Sequence, residues 1–345
     1  MWAFVRPISA SPATTTGPRG GHLQPSIYFD PGPEYDIITL AHIRATCRIR
    51  PGLTLPVEEN LILDIRPCNA PLGAEITGID LGRPIDEATF RHIDQAYAQY
   101  GVIFFRDQHI TPEQHLAFTM RFGELDPSPH TPYALPGYPD ILRVTNIQEQ
   151  GRNIGLADAG LTWHTDMSWR EIPPRGSTLY AIEVPEQNGQ VLGDTVFASA
   201  AAAYETLSDA MRAHLDGLTA IHQYAAKHAY RAKVSISDRS DLERTYPDVH
   251  HPVVRTHPIS GRRCLYVVPG ECTGIAGMPD DEALPLLQTL AERIVRPEFQ
   301  YRHQWQVGDL VMWDNCLVQH LAIRDYALPQ RRLMHRTTIA GTPTF

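Results

Sequence analysis

The chain has 345 residues, a formal net charge of −9 and 43% hydrophobic residues, which is the composition of a globular protein with a sizeable core. The acidic balance argues against nucleic acid as the main partner, because phosphate binding depends on lysine and arginine. No run of about 18 apolar residues is present, so the sequence predicts no membrane span.

The cysteines predict a reducing compartment. There are five of them, and no two form a Cys-x-x-Cys pair. An odd number in a chain of this length argues against a disulfide framework, so we expect a cytoplasmic protein with free thiols.

Residues 1–60 differ in composition from the rest of the chain. The run from Ser9 to Gly21 is rich in Ser, Thr, Pro and Gly and lacks large apolar residues, which predicts a flexible segment. From residue 61 onward the hydrophobic pattern is that of a compact domain. We therefore predict a partly flexible N-terminal extension over residues 1–60 and one folded domain over residues 61–345.

The first part of this domain combines strands with two helices. Strands are predicted at Leu61–Pro67, Ala74–Ile79 and Val102–Phe105, and helices at Asp86–Tyr100 and residues 111–122. Thr111 is the expected N-cap of the second helix, because its hydroxyl can accept a backbone N–H and Pro112 suits the first turn.

The remainder is rich in short strands. They are predicted at Ser177–Val184, Pro252–Thr256, Cys264–Val268, Leu310–Trp313 and Arg332–Ile339, with helices within Ala198–Leu215 and over Asp280–Val295. Many short strands, few helices and long loops indicate a mixed α and β fold, in which helices pack outside a sandwich or barrel of strands.

The first pattern that carries chemistry is His164-Thr165-Asp166. On an extended segment the two outer side chains point to the same face, so an imidazole nitrogen and a carboxylate oxygen can reach one cation. One more histidine would complete a two-His, one-carboxylate triad, which leaves metal positions open for oxygen chemistry. The pattern alone is weak, since the chain has 16 histidines and a surface histidine beside a capping aspartate looks the same.

The C-terminal region strengthens this interpretation. His320 is followed twelve residues later by Arg332, which lies on a predicted strand that also contains Arg336. An arginine so placed can pair with the far carboxylate of a dicarboxylic keto acid whose other end chelates the metal.

Several ordered blocks carry a family resemblance. They are Leu72–Ile76 with Gly78 and Asp80, Phe104–Gln108, Arg121–Leu125, Trp163–Asp166, Gly193–Thr195, His251–Pro258, Trp313–Asn315 and Gln330–Arg336. Over roughly residues 61 to 345 the sequence resembles the taurine dioxygenase family, which includes the 2,4-dichlorophenoxyacetate dioxygenases and alkylsulfatases.

The resemblance implies a double-stranded β-helix (jelly-roll) core with flanking helices, and Fe(II), 2-oxoglutarate and O2 as cofactor and co-substrates. By the same resemblance the iron ligands fall on His164, Asp166 and His320, the 2-oxoglutarate contacts on Thr195 and Arg332, and the contact to an anionic substrate group on Arg336. The carboxylate at Asp166 favours hydroxylation over halogenation, since related halogenases have a small residue there.

The sequence departs from the family pattern at four places. Residues 190–192 form an apparent insertion that could displace Thr195, and Ala327 lengthens the stretch between His320 and Arg332. His130 and Tyr133 stand near the positions of substrate contacts in taurine dioxygenases. Gly160 replaces an asparagine that precedes the His-x-Asp motif there, which makes taurine itself a doubtful substrate.

The leading hypothesis is a 2-oxoglutarate-dependent dioxygenase that hydroxylates a small anionic compound and gives succinate and CO2. The substrate classes are an alkylsulfonate such as taurine, an alkyl sulfate ester, and an aryloxyalkanoate or other carboxylate. Two alternatives stay open, a metal-binding jelly-roll protein without turnover and a zinc-dependent hydrolase. We expect no nucleic-acid or membrane partner, and a homo-oligomer, either a dimer or a tetramer, stays open.

Overall fold

The computed structural model describes residues 63–126, 131–226 and 236–345, without the side chains of Thr131 and residues 236–240. The predicted extension over residues 1–60 and the candidate residue His130 lie outside these ranges. Within them, no helix has both the length and the apolar character needed to span a bilayer.

The elements are numbered in chain order. The strands are β1 (Asp64–Pro67), β2 (Ala74–Thr77), β3 (Val102–Phe105), β4 (Ala134–Leu135), β5 (Tyr138–Thr145), β6 (Gln148–Glu149), β7 (Arg152–Asn153), β8 (Gly176–Glu183), β9 (Glu186–Gln187), β10 (Gln190–Val191), β11 (Thr195–Ser199), β12 (Thr219–His222), β13 (Val249–Pro252), β14 (Val254–Thr256), β15 (Arg263–Leu265), β16 (Cys272–Ile275), β17 (Gln300–His303), β18 (Leu310–Asp314), β19 (Val318–Ala322) and β20 (Leu333–Ile339). The helices are α1 (Glu87–Tyr100), α2 (Pro112–Met120), α3 (Ala200–Glu205), α4 (Asp209–Leu215), α5 (Ile236–Thr245) and α6 (Asp280–Ile294), with 3-10 turns at Thr131–Tyr133 and Pro297–Phe299.

Local sequence signals set the ends of the first two helices. The carboxylate of Asp86 caps α1, and Gly101 ends it with a left-handed φ of 69°. Thr111 caps α2 in a capping box with Gln114, and Pro112 occupies the first turn. The predicted positions of both helices are confirmed.

An eight-stranded sheet, here called the main sheet, forms one half of the sandwich. Its strand order is β1-β2-β3-β18-β8-β20-β5-β4, and its central strands are antiparallel. Alternation along β3 sends Val102 and Phe104 to an inner core and Ile103 and Phe105 to an outer core. The outer core lies against α1 and α2, because Ile93 and Phe118 belong to it.

A second, three-stranded sheet with the order β17-β11-β19 covers the inner core. Phe197 of β11 and Val318 of β19 pack there with Leu179 and Trp313 of the main sheet. Two facing sheets with helices outside are the predicted jelly-roll core with flanking helices, so the predicted fold class is confirmed.

The structure changes three local predictions in detail. The segment around His164, predicted to be extended, is a loop with a single β-bridge to His320. Ala198 lies in β11, which ends at Ser199, so the helices predicted within Ala198–Leu215 begin at Ala200. Arg332 lies just before β20, whose pairing with β8 is irregular between Leu333 and Met334.

Candidate metal centre

Three buried side chains meet beside β19, an edge strand of the second sheet. His164 and His320 exchange backbone hydrogen bonds of 3.2 and 2.8 Å across the bridge, which brings their rings to a centroid distance of 4.2 Å. Asp166 Oδ1 lies 3.7 Å from His164 Nε2 and 3.8 Å from His320 Nε2. One ligand atom from each residue lies within 4.8 Å of the other two, so all three can reach one ion.

The carboxylate of Asp166 is held through its second oxygen. Oδ2 accepts hydrogen bonds from Ser177 Oγ at 3.1 Å and Trp313 Nε1 at 3.0 Å, and pairs with Arg336 at 2.9 Å. Burial alone raises the pKa of Asp166, but the charges of Arg336 and the two imidazoles outweigh it and hold the pKa well below its usual range. The group is therefore an anion with Oδ1 directed at the imidazoles.

Backbone contacts fix the loop that carries this carboxylate. Thr165 Oγ1 donates to the carbonyl oxygen of Asn315 at 2.7 Å, and the backbone N–H of Asp166 donates to Asn315 Oδ1 at 3.3 Å. Because Asn315 follows β18, the main sheet positions both the loop and the carboxylate.

The donor set fits Fe(II). His164 Nδ1 lies 2.8 Å from the carbonyl oxygen of Thr162, so Nδ1 carries the proton and Nε2 offers its lone pair toward Asp166. Two imidazoles and one carboxylate on one side of an ion form the facial arrangement typical of non-haem iron oxygenases.

Arg332 is a buried cation next to this region. Its side chain is 4% exposed, its Nε has no hydrogen-bond partner among the described residues, and its guanidinium lies 5.7 Å from the Trp305 ring. Burial lowers its pKa, and a hydrogen bond with Tyr326 opposes that effect. A buried guanidinium with a free N–H suits a carboxylate ligand such as that of 2-oxoglutarate.

The insertion before Thr195 is accommodated in a hairpin. β9 and β10 pair across a turn in which Asn188 and Gly189 have φ values of 53° and 77°, as a tight two-residue hairpin requires. Thr195 stays in β11, paired with Ala322 while Phe197 pairs with His320, so Thr195 and His320 share one face of the sheet.

Trp305 connects the two predicted 2-oxoglutarate contacts. Its Nε1 donates to Thr195 Oγ1 at 3.0 Å, and its ring lies beneath the Arg332 guanidinium. Thr195 and Arg332 thus both contact one fully buried indole, Thr195 at its N–H group and Arg332 at its ring.

Comparison with known proteins gives the family. The model described as taurine catabolism dioxygenase TauD, TfdA family matches residues 64–338. The chain belongs to this family.

Three relatives illustrate the likeness. A sulfate ester dioxygenase dependent on alpha-ketoglutarate from Pseudomonas putida is 34% identical over 290 residues, which cover 81% of this chain and 90% of the relative. An alpha-ketoglutarate-dependent 2,4-dichlorophenoxyacetate dioxygenase from Cupriavidus pinatubonensis is 33% identical over 79% of this chain and 96% of its own. The crystal structure of AAD-2 in complex with Mn(II) and N-oxalylglycine has a TM-score of 0.69 at 32% identity, and covers 82% of this chain and 99% of AAD-2.

Membership of the TauD, TfdA family makes the chain an oxidoreductase of the 2-oxoglutarate-dependent dioxygenase class. Together with the His–Asp–His group it supports Fe(II), 2-oxoglutarate and O2 as cofactor and co-substrates. A 2-oxoglutarate-dependent dioxygenase explains both the family membership and the His–Asp–His group more directly than a zinc hydrolase or a protein without turnover does.

The three predicted substrate contacts differ in where they lie. Arg336 lies in the metal centre, where its Nη2 contacts both Asp166 and Ser177. Tyr133 ends a 3-10 turn and packs, partly buried, against the inner core, while His130 lies outside the described residues. The substrate roles of all three residues stay predictions.

Gly160 borders the metal centre. Its φ is 74°, and a Cβ built there would lie 3.6 Å from His164 Cε1 and 3.3 Å from Ala322 Cβ. A side chain at this position would therefore press against Ala322 and touch the His164 imidazole, so close packing as well as the positive φ favours glycine.

Sequence reasoning missed Ser177, Trp305 and Tyr326 as members of the site and gave Trp313 no role. Trp313 could have been found, because it begins the Trp-Asp-Asn block that carries the resemblance. Ser177 gave no such signal, since its position depends on strand pairing with Trp313 and Thr338.

Proposed function

We propose that this enzyme hydroxylates a small organic monoanion with Fe(II), 2-oxoglutarate and O2, and releases succinate and CO2. The observation that carries the proposal is the buried His–Asp–His group, in which the anionic Asp166 pairs with Arg336, together with the buried Arg332, which lacks an acidic partner among the described residues.

Each side chain has a proposed role. His164, Asp166 and His320 hold the iron, which supplies the oxidising chemistry with 2-oxoglutarate and O2 when bound. Arg332 holds the far carboxylate of 2-oxoglutarate, and Thr195, which contacts the same indole, adds a hydroxyl contact. Such pairing fixes the orientation of the co-substrate, which is the protein's main contribution in this chemistry.

Charge balance supports a monoanionic substrate. Fe(II) and the guanidinium groups of Arg332 and Arg336 bring four positive charges, and Asp166 brings one negative charge. 2-Oxoglutarate neutralises two of the remaining three. One positive charge is then left in a buried site, where an unbalanced ion is costly, so an anionic substrate is favoured.

A missing polar side chain beside the metal centre favours a substrate other than taurine. Gly160 lies next to His164 and offers no side-chain polar group. Taurine carries an ammonium as well as a sulfonate, so it has no net charge and needs an additional polar partner. We therefore propose an alkyl sulfate ester or an aryloxyalkanoate, the substrate classes named for two relatives.

A substrate panel tests this function. Succinate formation from 2-oxoglutarate would be measured with Fe(II), O2 and hexyl sulfate, 2,4-dichlorophenoxyacetate or taurine. We expect the first or second compound to accelerate succinate release, and His164→Ala to abolish it. His109→Ala is the matched control, because the His109 side chain is 83% exposed. Turnover that needs zinc and no 2-oxoglutarate would exclude the proposal in favour of a hydrolase.

The remaining proposals concern the whole chain. We propose that residues 61–345 form the catalytic domain, that the protein is cytoplasmic, and that it assembles as a dimer or tetramer without a nucleic-acid partner. The four described cysteines are free thiols, which suits a reducing compartment. Activity of a 61–345 fragment and light scattering of the purified protein test the first and third points.

A further inference from the structure

A cavity separate from the metal-binding group borders Asp314, the last residue of β18. Its volume is about 260 Å³, and its wall includes Arg175, Arg255, His257 and Asp314. None of His164, Asp166 and His320 belongs to its lining, although Asp314 is next in sequence to Trp313, which contacts Asp166.

Arg255 is the unusual member of this wall. Its side chain is 2% exposed, and neither Nε nor Nη1 has a hydrogen-bond partner among the described residues. Its guanidinium lies 5.0 Å from the Tyr266 ring. Burial acts to lower the pKa of Arg255, but the fields of Cys316, Tyr266 and Asp314 outweigh it, so the group is charged.

The acidic group of the cavity is already engaged elsewhere. Asp314 Oδ1 accepts the backbone N–H groups of Cys316 at 2.8 Å and Leu317 at 3.1 Å. The backbone N–H of Ser260 donates to His257 Nδ1, so the His257 proton is on Nε2 and is donated to Asp314 Oδ2 at 3.1 Å. Asp314 therefore offers Arg255 no direct ion pair.

Arg175 adds a second guanidinium to the same wall. Its two terminal nitrogens donate to Asp94 and to the carbonyl oxygen of Phe122, while its Nε has no hydrogen-bond partner in the described part of the chain. The cavity wall thus contains two cationic side chains, of which Arg175 alone is paired with a carboxylate among the described residues.

We propose that this cavity binds a small oxyanion, a carboxylate or a sulfate-type group, on the guanidinium of Arg255. Oxygen anions satisfy guanidinium donors with charge-assisted hydrogen bonds, which is what Nε and Nη1 of Arg255 lack. The volume is below that of a typical drug-sized pocket, so the ligand is a short one. Apolar wall residues such as Phe122 and Ile259 leave room for a short aliphatic portion.

Thermal unfolding of the full chain tests the site. Sodium acetate and sodium sulfate would be titrated separately against sodium chloride at equal ionic strength. We expect at least one of them to raise Tm by about 3 °C at ten times its Kd. The acetate and sulfate arms show which oxyanion is preferred.

Variants separate this cavity from the metal centre. Arg255→Gln should lose the anion-specific shift, whereas Arg332→Gln should keep it, because Arg332 belongs to the proposed 2-oxoglutarate site. If Arg255→Gln does not fold, Arg255→Lys retains the charge with fewer donors and should raise the half-saturating concentration about tenfold.

Two results would overturn the inference. One is the absence of any shift beyond that of chloride in both salts. The other is a shift that disappears in Arg332→Gln and persists in Arg255→Gln, which would place the anion at the metal centre.

Discussion

Replacing Arg332 by methionine should have opposite effects on ligand binding and on the stability of the ligand-free protein. The side chain is 4% exposed and lacks an acidic partner among the described residues, so the ligand-free protein already bears the cost of burying it. Methionine has a similar length and an apolar end. We expect the free energy of unfolding without ligand to be unchanged or higher by about 1 kcal/mol.

Binding of 2-oxoglutarate should weaken strongly in the same variant. Loss of one partner from a buried charged hydrogen bond costs about 3 kcal/mol, which is roughly a 150-fold rise in Kd. Calorimetric titration of 2-oxoglutarate without O2, with Mn(II) in place of Fe(II), would measure Kd. Urea unfolding would measure the stability of the ligand-free protein.

Arg331→Met is the matched control for both measurements. The Arg331 side chain is 54% exposed and pairs with Glu183 on the surface at 2.9 Å. Such a pair is worth about 0.5 kcal/mol, so both quantities should stay close to those of the unmodified protein. A loss of more than about 2 kcal/mol in stability, with Kd changed less than threefold, would refute the assigned role of Arg332.

Three further changes test other parts of the structure. Trp313→Phe keeps a ring in the inner core but removes the N–H given to Asp166, so the Kd for Fe(II), measured against a chelator, should rise about tenfold. Burial lowers the pKa of His115 and His222 to about 3, so between pH 6.5 and 3 the unfolded chain binds protons that the folded chain does not. Stability should fall by about 2 kcal/mol per histidine from pH 7 to 5, and His115→Gln should reduce the drop seen by urea unfolding at the two pH values by about that amount. Gly160→Asn places an amide beside His164 at a φ that asparagine tolerates, and should raise kcat/KM for taurine about fivefold relative to Gly160→Ala; equal values would exclude a contact there.

Local patterns predicted much of the fold. Helix caps at Asp86 and Thr111 depend on residues within one turn, and both were read correctly from the sequence. Strands with strong alternation or a buried run, such as β3 and β8, were also found.

Strands whose character depends on distant partners were missed. β5 begins Tyr138-Pro139, and a proline argues against a strand when only the sequence is considered. In the structure Leu142–Thr145 pair with β20, while the proline lies near the irregular turn to β4. β19 is short and buried by its neighbours, so its sequence shows no alternation to identify it.

The same distinction between local patterns and long-range contacts applies to the metal centre. The three metal-centre residues were found because a motif and a family resemblance mark their positions, although His320 lies 156 positions beyond His164. The pairing of Arg336 with Asp166 could not be read from spacing, since it requires β20 and β8 to bring Arg336 next to Ser177.

The ion pair between Arg336 and Asp166 affects the positive charge that Arg336 presents to an anionic substrate. Arg336 uses only Nη2 for Asp166 and Ser177, so contact with a substrate anion through its other donors is compatible with support of the carboxylate. Part of its charge is nevertheless balanced before the substrate arrives, whereas the charge of Arg332 has no such balance among the described residues. A ligand that neutralises an unpaired buried cation gains more electrostatic free energy than one that shares an existing pair. We therefore infer that the site's electrostatic preference is directed mainly at 2-oxoglutarate. Selection among monoanionic substrates then depends on packing around the metal centre, where Gly160 lies close to His164 and Ala322.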